Sequence, residues 1–204
     1  MSKTTNRPEK NLTFSDYFDL NKPTKEILQG FGYEYQFVEL TLPTVSLVKP
    51  LTELRETYRK KLPFISLTSE AAKREFYVAP LLLELLNYVG AEINVEYSLD
   101  AGRNLNGTID YLLRYKHEMV IIEAKKGDLE KGFNQLAVEL IALEKTLESD
   151  VALLYGAVTL GDVWRFGQIE RQSRVLRKDI NAYVVPAQVE QLLAILLGML
   201  GLED

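Results

Sequence analysis

The chain has no cysteine and a single histidine, His117. The first absence excludes disulfide frameworks, cysteine zinc sites and thiol nucleophiles. The second excludes His-rich metal centres and zinc hydrolases of the paired-histidine kind. Long apolar runs are missing too. The longest late one, Gln191 to Leu200, falls short of the roughly 20 residues that a membrane-spanning helix needs. The polar start, MSKTTNRPEKNLTF, lacks the apolar run of a secretory signal. A soluble, cytoplasmic protein is expected. An excess of positive charge is also lacking: 24 Lys and Arg stand against 29 Asp and Glu, a net charge of −5. Non-specific nucleic-acid binders are usually basic, so any such contact here has to come from a local patch, or from a metal ion that offsets carboxylates.

What is present fits one domain with an added arm, since 204 residues lie within the range of a single core. Residues 1–66 read as an N-terminal arm or elaboration, with the first dozen disordered and Pro23, Pro43, Pro50 and Pro63 interrupting the rest. Within it, Pro23–Gln29 reads as a short helix, Tyr33–Leu40 as a strand and Leu51–Lys61 as a helix. Residues 67–204 read as the core. Ser69-Glu70 opens a helix that Pro80 should kink or split. Ala91–Leu99, Asn106–Leu113 and Glu118–Lys125 follow as strands, the last two forming a hairpin about the 114–117 turn. Leu129, Phe133, Leu136, Leu140, Leu143 and Leu147 form one helical stripe. Strands at Val151–Val158 and Asp162–Gln168 and a helix from about Pro186 to Leu200 complete the core. This order predicts a mixed α/β layer fold.

The hairpin carries the chemistry. The midpoint between Asp110 and Glu123 falls in the 114–117 turn, so the two carboxylates should face each other across the ladder. Glu123 and Lys125, two apart on one strand, share a face. Met119–Ile122 is apolar on both faces, as in a buried strand. Charges placed just after it are costly unless paired or bound to metal. Oxygen ligands without Cys or His suit Mg²⁺ or Mn²⁺, which can polarise a phosphodiester and activate water. Asp110 and Glu123 are the expected metal ligands, with Lys125 orienting the water.

Gly107-Thr-Ile-Asp110 followed by Val120-Ile-Ile-Glu-Ala-Lys125 resembles the signature of the PD-(D/E)XK nuclease superfamily. Thr68–Glu75 leading into Val78–Leu82 is similar to the first core helix in the N-terminal nuclease domains of type I restriction subunits. Ala157–Phe166 resembles a strand pair of those domains, and Gln135 matches a glutamine that often follows the signature. The resemblance covers about residues 68–168. It implies a restriction-endonuclease-like core, a Mg²⁺- or Mn²⁺-dependent endonuclease acting on DNA, the Ala124 carbonyl as a further metal ligand, and assisting roles for Glu70 and Gln135. Two departures stand out: Ile109 precedes Asp110 where the name has proline, and Glu139 stands where an aromatic residue is usual.

Each residue also has a plainer reading. An isolated Glu-x-Lys at a strand end is usually a solvated ion pair, Glu70 suits any first helical turn, and Gln135 could be a surface amide. A silent nucleic-acid or protein-binding module of the same fold, or a different metal-dependent phosphoesterase, would share these residues. Trp164 and Phe166 read as core, and His117 as an exposed turn residue. Arg171, Arg174 and Lys178 share helical spacing, suiting either phosphates or a merely solvated face. Leu192, Leu193, Leu196, Leu197 and Leu200 require burial, on the core or in a homodimer.

Overall fold

The computed structural model describes residues 11–148 and 150–203. The first part of the chain supplies α1 (Phe14–Asp19), α2 (Thr24–Gly30), β1 (Glu34–Val38) and α3 (Thr52–Lys61). Next come α4 (Glu70–Lys73), a π-helical turn (Arg74–Val78) and α5 (Ala79–Leu85). The rest comprises β2 (Glu92–Asp100), β3 (Asn106–Tyr115), β4 (Glu118–Ala124), α6 (Leu129–Thr146), β5 (Leu153–Thr159), β6 (Val163–Glu170), β7 (Val175–Asp179), β8 (Tyr183–Val184) and α7 (Val189–Met199).

One open mixed sheet of eight strands runs in the order β1-β7-β6-β5-β4-β3-β2, with β8 paired to β6. Helices flank both faces, and the alternation of β4 shows how. Val120, Ile122 and Ala124 enter a core shared with α3, α5 and α7. Ile121 enters a second core shared with α1, α2 and α6. The apolar stripe of α6 lets it lie along the sheet while the chain returns from β4 to a parallel β5. Asp128 starts this helix in a left-handed conformation (φ 53°), its carboxylate accepting from the Glu130 and Lys131 amides at 3.0 and 3.1 Å.

The arm is built into these layers. β1 pairs parallel with β7 at the sheet edge. Phe14 and Tyr17 of α1 are buried with α6. α1 lies so close to β3 that a Cβ on Gly107 would sit 2.8 Å from the Phe14 ring, and Gly107 holds φ at 150°. Residues 1–10 lie outside the described residues. Asn11 and Leu12, expected to be disordered with them, are fixed by hydrogen bonds with Asn104: its N–H donates to Asn11 Oδ1 at 2.6 Å, and its Oδ1 accepts from the Leu12 N–H at 2.9 Å.

Three sequence expectations need correction or sharpening. The basic stretch is a turn and a strand, so Arg171, Arg174 and Lys178 share no helical face. Arg171 pairs with Glu144, Arg174 lies over the Tyr33 ring and Lys178 is buried. The leucines of α7 are buried within the chain's own core, so their need for burial does not call for a second copy. The helix containing Pro80 is split one turn earlier than its proline, by the π-helical turn in which the Ala79 N–H bonds back to Arg74 O. Among the described residues no helix is long and apolar enough to cross a membrane.

Candidate functional site

The β3–β4 register is Tyr111 opposite Ile122 and Tyr115 opposite Glu118. One step further along, the same register puts Asp110 opposite Glu123. The ladder's last rung is replaced by the Asp110 side chain, whose Oδ2 accepts the Ala124 N–H at 2.8 Å. β2 and β3 also break their alternation here. Tyr111 packs into the α5/α7 core, whereas Ile109, two residues before it, packs into the α1/α6 core. Glu96, facing Asp110 across β2, has φ 53°. This local twist turns the Asp110 carboxylate toward the end of β4.

Glu123 points to the α6 side and its side chain is 1% exposed. Lys125 forms an ion pair with Glu123 Oε1. Gln135 Nε2 donates to the same Oε1 at 2.6 Å and to Glu139 Oε1 at 2.9 Å. Gln135 and Glu139 are four apart on α6 and so share a face. The Lys125 N–H extends the β4–β5 pairing by donating to Thr159 O at 2.8 Å. Its stem passes over Gly132, where a Cβ would lie 3.1 Å from Lys125 Cγ and 2.6 Å from Val158 Cγ2. Its ammonium sits 5.5 Å from the Phe18 ring centre.

Arg74, in the π-helical turn, closes the other side. Its Nη1 lies 3.3 Å from both Asp110 Oδ1 and Glu96 Oε1, and its guanidinium stacks 5.2 Å from the Tyr111 ring centre. Glu70 is half-buried on α4 and acts on Lys125 through its charge rather than by contact. Lys73 Nζ donates to Lys126 O at 2.9 Å, holding α4 against the loop after β4. The structure thus brings Asp110, Glu123, Lys125 and Gln135 together, with Glu70 at the margin.

The electrostatics follow from burial. Desolvation, with Glu139 and Asp110 nearby, pushes the Glu123 carboxyl well above the usual range, opposed by Lys125. Desolvation pushes Glu139 up to about 7, the Gln135 hydrogen bond opposing it and Asp110 adding to it. Burial works against the Lys125 charge, but the Glu123 carboxylate, Asp110 and Glu70 outweigh it, and its pKa is raised. Lys125 stays an ammonium, and burial favours one proton held within the Glu123–Glu139 pair. Oε2 of each acid is buried without a hydrogen-bond partner.

Glu139 and Arg74 are the members of this cluster that the sequence reading missed. Glu139 was visible as a departure from the family pattern, and its spacing from Gln135 was the available signal. Arg74 follows Glu70 by one helical repeat, but nothing local indicated that Asp110 would lie beside it.

The donors fit a hard divalent cation in kind: two carboxylates, with Glu123 Oε2 free of hydrogen bonds, beside the Ala124 peptide. Among the described residues no group of three or more His, Asp or Glu side chains is arranged to hold a metal ion. An ion would therefore rest on Asp110, Glu123, a backbone carbonyl and water. Comparison with protein families, with curated proteins and with solved structures finds no match to this chain.

Proposed function

We propose that the chain is a Mg²⁺- or Mn²⁺-dependent endonuclease of the PD-(D/E)XK type, with a restriction-endonuclease-like core and DNA as its substrate. The observation that carries this reading is the convergence of Asp110, Glu123 and Lys125 at the end of an interior strand, with a buried Glu123 oxygen left without a partner. Asp110, Glu123 and the Ala124 carbonyl would hold the ion, which when bound polarises the phosphodiester and acidifies a water. Lys125, held as an ammonium, cannot take a proton. It orients the attacking water and offsets the charge that builds on the phosphoryl oxygens. Gln135 fixes the Glu123 carboxylate by its 2.6 Å hydrogen bond, and Glu70 adds a remote charge.

The test is Mg²⁺-dependent nicking of supercoiled plasmid by wild type, Asp110→Ala and Lys125→Ala. Both substitutions should lower the rate by about 10²-fold or more, and Lys125→Ala should leave DNA affinity nearly intact. Nicking that survives both substitutions would sink the reading. A second reading, a catalytically silent binding module of the same fold, is favoured by Arg74 on Asp110 and Lys125 on Glu123, which already neutralise both carboxylates. Wild type that binds DNA and cuts nothing would select it.

A further inference from the structure

A second cluster of charges lies across the sheet from the first. Glu123 on β4 pairs with Val158 on β5, and Val158 with Arg165 on β6. Arg165 therefore stands two strands from Glu123 on the same face, roughly 10 Å away at the usual strand spacing. Between them the first turn of α6 presents Glu130. Its carboxylate bridges two cations: Oε1 takes Arg165 Nη1 at 3.0 Å, and Oε2 pairs with the Lys178 ammonium.

The exposures are the wrong way round for an ordinary structural ion pair. Lys178 is 1% exposed, wedged 4.9 Å from the Phe133 ring centre and 5.4 Å from that of Phe37, while Glu130 is 65% exposed. A buried ammonium requires an anion, and the anion it has is one that solvent already reaches. Arg165 Nε is buried and unpartnered, a donor still seeking an acceptor. Glu130 also lines a cleft of about 650 Å³, whose rim carries Lys22, Lys25 and Lys131. The other acid there, Asp128, is engaged with the α6 amides.

We propose that Arg165, Lys178 and Lys131 form a phosphate subsite for the nucleic-acid strand, with Glu130 as a stand-in that the incoming phosphate displaces. Two oxygens of a phosphodiester can make the two contacts that the carboxylate makes now, with the same single charge and against donors already in place. Lys22 and Lys25 continue the track along the cleft. The subsite rests on the phosphodiester reading for the identity of its ligand, and its geometry stands apart from the cleavage site.

The test uses the full chain in EDTA, so that binding is read without cleavage. The probe is a fluorescent 12-nucleotide oligothymidylate, followed by anisotropy at several salt concentrations. Glu130→Gln should tighten binding about fivefold, the scale of one released ion pair. Arg165→Gln and Lys131→Ala should weaken it, each lowering the slope of log affinity against log salt by about one. A purely structural triad gives a different result: Glu130→Gln would lower the melting temperature and leave affinity unchanged or weaker, overturning the proposal. Titration with inorganic phosphate separates a small-anion site from a strand site. Phosphate binding that follows the same variants while the oligonucleotide does not bind would also overturn it. If the variants behave as expected but plasmid nicking is absent, the subsite stands and the nuclease reading falls. Unchanged oligonucleotide binding with Asp110-dependent nicking gives the converse.

Discussion

α6 and α7 lie on opposite faces of one sheet, and both are buried along most of their length, yet they are built differently. Every buried residue of α7, from Val189 to Met199, is apolar or glycine. α6 buries Asn134, Gln135 and Glu139 among its leucines. Asn134 has a structural use, joining the Lys22 carbonyl and Thr24 Oγ1 of the α1–α2 region. Gln135 and Glu139 reach inward to Glu123 instead. A sheet of this size can be held from one side by hydrocarbon alone, as α7 demonstrates. The acid that α6 buries costs stability, and the end of β4 is where that cost is spent.

The comparison can be broken from either helix. Leu196→Ala in α7 removes packing and nothing else, so it should cost about 4 kcal/mol. Denaturant unfolding would show this, while cation affinity per folded molecule stays unchanged. A matching loss of affinity would mean that the two faces are not independent.

Glu139→Gln should act in the opposite direction. Its carboxyl is raised from 4.5 to about 7, so the native state holds a proton that the unfolded chain releases. Stability therefore falls as pH rises from about 4.5 to about 7, and levels off above. At about 1.4 kcal/mol per pH unit, the loss reaches up to about 3 kcal/mol. Melting in EDTA between pH 5 and pH 8 should show the decline. Glu139→Gln should flatten it and be the more stable protein at pH 8. A wild type whose stability does not fall over that window would show that Glu139 is not the proton's holder.

Gln135→Met should cost about 1–3 kcal/mol, because it leaves the buried Glu123 and Glu139 carboxyls without their amide donor. It should slow nicking about tenfold by freeing Glu123. Smallest of all, Arg74→Gln removes a competitor for Asp110 and should tighten Mn²⁺ binding about fivefold by calorimetry. Weaker binding would assign Arg74 to holding the site together rather than competing for it.

Much of this was legible in the sequence, for reasons that can be named. The Leu129–Leu143 stripe and the apolar run before Glu123 are periodic, and period survives without knowledge of neighbours. The hairpin register followed from the turn, and it set Asp110 opposite Glu123. Simple alternation did not suffice, because β2 and β3 change faces at Glu96 and Asp110, and a left-handed glutamate leaves no pattern to read. Lys178 was misassigned because three basic residues at helical spacing fit a helix as well as a turn followed by a strand. Only the pairing with β6 and β1 decides between them. The strand β1 was expected, but its partner, some 140 residues away, had no local signature.

That pairing has a consequence for how the protein comes to be folded. β1 hydrogen-bonds to β7, with Gln36 and Arg177 in contact across 141 positions. During synthesis the strand leaves the ribosome long before its partner exists, and closing so large a loop is slow compared with forming the β2–β3–β4 meander. The meander and α6 should therefore organise first, with the 34–38 segment docking last. Pulse-labelling hydrogen exchange would record that order as late protection of the Glu34 and Gln36 amides, which face β7. Until then β7 presents a bare edge, the moment at which a growing chain is most exposed to pairing with a neighbour.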